Sequence, residues 1–147
     1  MRLLLYKIGN SSRTNNYFNL NSLQKLKNTQ LTEEQTLEII IDSIQDIKGV
    51  NIVKLDLRKL DDAPCSYFVI CDGNSNTQVK AIADNILKRM KEEANALPSH
   101  REGLQNALWV CLDYFDIVIH VFYKETREFY QLEHLWSDAD ITTYETI

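Results

Sequence analysis

The run Tyr67-Phe68-Val69-Ile70-Cys71 is apolar throughout, with no polar residue interleaved. Successive side chains of a strand point to opposite faces of its sheet, so a strand with one wet face alternates and an unbroken apolar strand needs cover on both faces. This run therefore belongs in the middle of a sheet with other elements packed over it. The chain must supply those elements from its flanks.

Upstream, Thr32 and Gln35 form an S/T-x-x-Q capping box, and Leu37, Ile40, Ile41, Ile44 and Ile47 follow at helical spacing, with Gly49 placed as a left-handed stop. Residues 52–57 then alternate, with Val53, Leu55 and Leu57 on one face, which predicts a half-buried strand; 58–64 reads as a loop. Downstream, Asp72-Gly73-Asn74-Ser75 is turn chemistry. Ser75 with Gln78 offers a second capping box for a helix carrying Val79, Ile82, Ala83, Ile86, Leu87 and Met90 and running to about Ala94. A linker over 98–106 leads to two apolar runs, 108–112 and 117–123, separated by Asp113-Tyr114-Phe115-Asp116, the pattern of an antiparallel hairpin. A last helix is predicted from near Lys124–Thr126, burying Phe129, Leu132 and Leu135 or Trp136, and residues 137–147 are expected to fray. The order α-β-β-α-β-β-α predicts one α/β (α+β mixed-sheet) domain over 31–140, with a flexible basic extension at 1–30 and a tail at 141–147.

Charge bounds the kind of partner. Residues 1–32 hold five basic residues and no acid, which leaves 11 basic against 21 acidic residues in the remainder. An acidic body opposes capture of a phosphate backbone and favours a basic protein instead. The leader also has the composition of an organelle transit peptide, although such peptides are usually amphipathic and richer in Arg. Three cysteines without a C-x-x-C pair suggest neither a disulfide framework nor a zinc knuckle, and no run reaches the length of a membrane span. The expectation is a cytoplasmic protein.

The hairpin carries the most chemistry. Pairing Leu112 with Ile117, or Asp113 with Asp116, places Val110, Leu112, Ile117, Ile119 and Val121 on one apolar face. The other face then holds Trp109, Cys111, Asp113, Asp116, Val118, His120 and Phe122, a mixture suited to protein binding; cover by another helix of the same chain is the alternative. Asp113, Asp116 and His120 are weak candidates for a metal or catalytic set, because D-x-x-D across a turn more often serves backbone hydrogen bonding. Residues 71–78 are a weak candidate for cradling a phosphate, since neither a G-x-x-x-x-G-K-[ST] nor a G-x-G-x-x-G motif is present. No nucleophile is placed beside a base, so no catalytic residue, metal ligand or cofactor site is assigned.

The strings YFVICDGNSNTQVKAIADNI and ALWVCLDYFDIVIHVFYKETREFYQLEHLW resemble the ribosomal silencing factor, or Iojap-like, family, with the likeness spanning about residues 33–139. That resemblance implies a nucleotidyltransferase-like fold without catalytic residues. It implies a non-enzymatic protein, monomer or homodimer when free, that binds ribosomal protein L-fourteen on the large ribosomal subunit, blocks joining of the small subunit and so represses translation. A large-subunit assembly factor using the same site is the alternative, and a nucleotidyltransferase-like enzyme the remote one. The family's contact segment W-[VI]-x-x-D maps onto Trp109 and Asp113 with Tyr114 following, and the contact set extends to Asp116 and His120. Many members have Gly between the two hairpin acids where this chain has Phe115, which puts the shape of the turn in question.

Overall fold

The computed structural model describes residues 30–147. The basic extension read from the leader lies outside the described residues.

Helix α1 (Glu33–Asp46) starts as its capping box dictates: Thr32 Oγ1 accepts from the Gln35 N–H at 3.2 Å, and the Thr32 N–H donates to Gln35 Oε1 at 3.0 Å. Its end differs from expectation. The left-handed residue is Lys48, at φ 61, not Gly49. Glycine is needed next for space, because a Cβ at Gly49 would sit 2.4 Å from Ile44 Cγ2. Strand β1 (Val50–Asp56) opens with a bulge at Asn51, φ 51, and pairs antiparallel with β2 (Tyr67–Gly73). Every residue of β2 is buried, as its unbroken apolar run requires.

Helix α2 (Asn76–Ala94) begins where Ser75 Oγ accepts from the Gln78 N–H at 3.1 Å. The Gln78 side chain then departs from the capping box: its Oε1 accepts from the Asn74 N–H, and its Nε2 donates to the carbonyls of Ile47 and Lys48. One glutamine thus ties the start of α2 to the end of α1. The same bonds occupy N–H groups that a phosphate loop would need free.

Strands β3 (His100–Glu102), β4 (Trp109–Asp113) and β5 (Ile117–Tyr123) follow, then α3 (Lys124–Tyr130), α4 (Leu132–Leu135) and β6 (Asp140–Tyr144). The sheet runs β3-β4-β5-β2-β1-β6, with β2 and β5 parallel and all other neighbours antiparallel. The α/β class and the mixed sheet agree with the sequence; two of its strands were not expected. β3 lies inside the segment read as a linker. β6 lies inside the segment expected to fray, and pairs with β1 from Ile52–Tyr144 to Asp56–Asp140. The last helix is also broken, because Gln131 turns left-handed at φ 45. Leu132 is buried and Trp136 half-buried, but Phe129 and Leu135 are 80% and 75% exposed, which overturns the expected burial of Phe129.

Two apolar layers result. On the inner face α1 and α2 cover Val69, Cys71, Val110, Leu112, Ile117, Ile119 and Val121. On the outer face Leu132 and Trp136 cover Leu55, Leu57, Phe68, Ile70 and Phe122. Among the described residues no helix is long and apolar enough to cross a membrane.

Candidate functional site

The β4–β5 hairpin divides its residues between faces as expected, but its register is two residues away from the pairing read from the sequence. Asp113 sits opposite Val118 and Leu112 opposite Ile119, so Asp113 and Asp116 are not a cross-strand pair. The cause is the turn. The Tyr114 N–H bonds the Ile117 carbonyl, leaving Phe115 and Asp116 as a two-residue loop with Phe115 at φ 67. A positive φ at the first loop position matches the right-handed twist of the strands and normally selects Gly. Here Asp113 Oδ1 accepts from the Phe115 N–H at 2.8 Å and steadies the turn. The Asp116 carbonyl accepts from the N–H groups of Ser66 and Tyr67, tying the tip to the start of β2.

On the outer face Trp109 is half-buried and stacks on Phe122 at a centroid distance of 4.8 Å. Its indole N–H donates to His120 Nδ1 at 3.1 Å, so the neutral ring carries its proton on Nε2. Only 6% of His120 is exposed, with Phe68 edge-on at 4.8 Å. Burial, opposed by the nearby Glu133 carboxylate, holds its pKa down at about 4. His120 is therefore a neutral support beneath Trp109. Tyr114 turns the other way: it packs on the inner core, its hydroxyl is buried, and burial pushes its pKa up to about 12. Trp109, Asp113 and Asp116 remain accessible.

The free side of Trp109 opens into a cleft of about 490 Å³ lined by Leu108, Tyr123, Glu125, Phe129 and Tyr130. Tyr130 lies 5.0 Å from the indole, and Phe129 meets Tyr130 edge-on at 5.1 Å. The cleft floor depends on Gly103, at φ 81, where a Cβ would fall 1.9 Å from the Trp109 carbonyl oxygen. Helix α3 is held there by an ion cluster around the buried Asp72. Arg127 bonds Asp72 Oδ1 at 2.5 Å, Glu133 and the Asn51 carbonyl, with the Asp72 side chain 2% exposed. Beyond Trp109 the outer face continues through Cys111 and Asp113, with Glu102 opposite Cys111 on β3. Burial and the Asp113 and Glu102 carboxylates push the Cys111 thiol up to about 11, so it stays protonated.

Asp113, Asp116 and His120 form no metal-binding group, and among the described residues no three or more His, Cys, Asp or Glu side chains are arranged so that they could hold a metal ion. Sequence reading missed Leu108, Glu125, Phe129 and Tyr130. A signal existed: Phe129 and Tyr130 are consecutive aromatics, and the narrow apolar stripe of a surface helix does not fully bury two large neighbouring side chains.

The described residues thus form an α/β scaffold that presents an aromatic cleft and acids on one face of its hairpin. The comparisons with known proteins give that scaffold a family. The model of the family "Ribosomal silencing factor during starvation" matches residues 30–147, and the chain belongs to this family. The ribosomal silencing factor of Halalkalibacterium halodurans is 34% identical over 117 residues, covering 80% of this chain and 98% of that protein. The Bacillus subtilis ribosomal silencing factor is 37% identical over 111 residues, 76% of this chain and 92% of that one. A crystal structure of a Chromobacterium violaceum protein superposes with a TM-score of 0.69 at 33% identity, covering 73% of this chain and 88% of that one.

Proposed function

We propose that this chain is a translational repressor that docks on the large ribosomal subunit through ribosomal protein L-fourteen and keeps the small subunit from joining. The observation that carries the reading is the presentation of Trp109: one ring face rests on Phe122, the N–H is held by His120, and the other side faces an open aromatic cleft. Interfaces draw most of their binding energy from a few such rigid aromatics, and an indole locked before binding loses little side-chain entropy on docking. Glu102 on β3, and Asp113 and Asp116 toward the hairpin tip, would orient a basic partner, and the acidic body would favour encounter with one. The action is occupancy, with no bond made or broken, and it takes place in the compartment that holds the ribosomes, which we take to be the cytoplasm.

The test is co-sedimentation with purified large subunits, followed by addition of small subunits. Trp109→Ala weakens co-sedimentation by about 10-fold or more, equivalent to about 1.4 kcal/mol, and loses the block on joining. Wild-type affinity in a folded Trp109→Ala protein refutes the anchor, and undisturbed joining by the bound wild-type protein refutes the mechanism.

A further inference from the structure

Phe115 spends conformational energy at the hairpin tip without contributing to the fold. Its φ of 67 is a region that L side chains with a Cβ avoid, and its ring is 73% exposed. It belongs to neither apolar core. The turn around it is fixed all the same, by the Asp113 carboxylate on its N–H and by the two backbone bonds from Ser66 and Tyr67 to the Asp116 carbonyl. A large apolar ring is thus held rigidly into solvent between two carboxylate-bearing residues, at the far end of β4 from Trp109.

Strain retained at an exposed, well-fixed position points to a role outside the chain. An aromatic face accompanied by carboxylates attracts a cation, since the ring quadrupole and the acids act with the same sign. Resting on the docking reading above, we infer that Phe115 is a second contact residue, taking a guanidinium or ammonium group of the basic ribosomal partner against its ring, with Asp113 and Asp116 beside it. The contact surface then has two ends, the Trp109 cleft and the Phe115 tip, and the tip contributes to specificity for a positively charged patch.

Two substitutions in the full-length chain test this. Phe115→Gly relieves the backbone and removes the ring, so it raises Tm by about 2–4 °C while weakening co-sedimentation with large subunits by about threefold or more. Phe115→Leu keeps apolar bulk but removes the quadrupole, and weakens binding to a similar extent. Opposite signs on stability and binding in Phe115→Gly separate a contact residue from a structural one. Unchanged binding in either variant overturns the inference. Trp109→Ala run alongside distinguishes the failures: if it still loses binding, the Phe115 assignment alone is wrong, and if it too binds normally, the docking reading has failed.

Discussion

At the scale of single residues, His120 shows how a side chain can matter to a surface without lying on it. Cross-strand pairing puts it opposite Cys111, and its Nδ1 receives the Trp109 N–H, so its burial sets the orientation of the indole. Unfolding returns the imidazole to water and to its ordinary pKa of 6.5, so below that pH the unfolded chain takes up a proton that the folded chain refuses until about pH 4. The stability His120 contributes is therefore complete above about pH 6.5 and is lost as the pH falls through 4, by roughly 3 kcal/mol in all. Urea unfolding across that window should have a smaller pH slope in His120→Gln, which keeps an acceptor for Trp109; an identical slope in the two proteins would refute a neutral buried His120. The sequence placed Trp109, Asp113 and His120 on one face because period-2 geometry survives a register shift of two residues. It did not separate the exposed from the covered members, since Tyr130, Trp136 and Leu132, which decide that, arrive from a later element.

Among the elements, α3 is the one whose placement shapes the candidate site. It buries none of its own residues and is held by Arg127 reaching Asp72, Glu133 and the Asn51 carbonyl. Removing the cation strands the buried Asp72 carboxylate, so Arg127→Ala should lower unfolding free energy by about 3 kcal/mol, and Asp72→Asn added to it should recover part of the loss. Urea titrations of the single and double variants measure both, and additivity of the two losses would contradict the coupling. Elements legible in the sequence were those with several turns or a full apolar run: α1, α2 and β2 were readable to within a residue or two. β3 and β6 were not, being three and five residues long with side chains that are nearly all exposed, so burial leaves no period to read. The break between α3 and α4 was hidden because Gln131, not Gly or Asn, takes the left-handed position. The hairpin register was hidden for the same reason at Phe115.

For the molecule as a whole, the sheet joins two locally formed antiparallel pairs, β1–β2 and β4–β5, through one parallel seam between β2 and β5. Its outer strands differ in what they protect. β6 occupies the hydrogen-bonding edge of β1, and Lys59 with Asp140 and Gln45 with the Glu145 carbonyl fasten it there. Deleting residues 138–147 should cost on the order of 3 kcal/mol, the combined contribution of a few ladder hydrogen bonds, and convert β1 into an open edge that pairs with other copies. Unfolding titrations and light scattering at rising concentration would detect both effects, and a truncated protein as stable and as monodisperse as the full chain would disprove them. During synthesis β6 leaves the ribosome after every residue that lines the Trp109 cleft. Until it arrives the flank of β1 stays bare, so a delay in its arrival would let two half-finished copies zip together before either closes its own sheet.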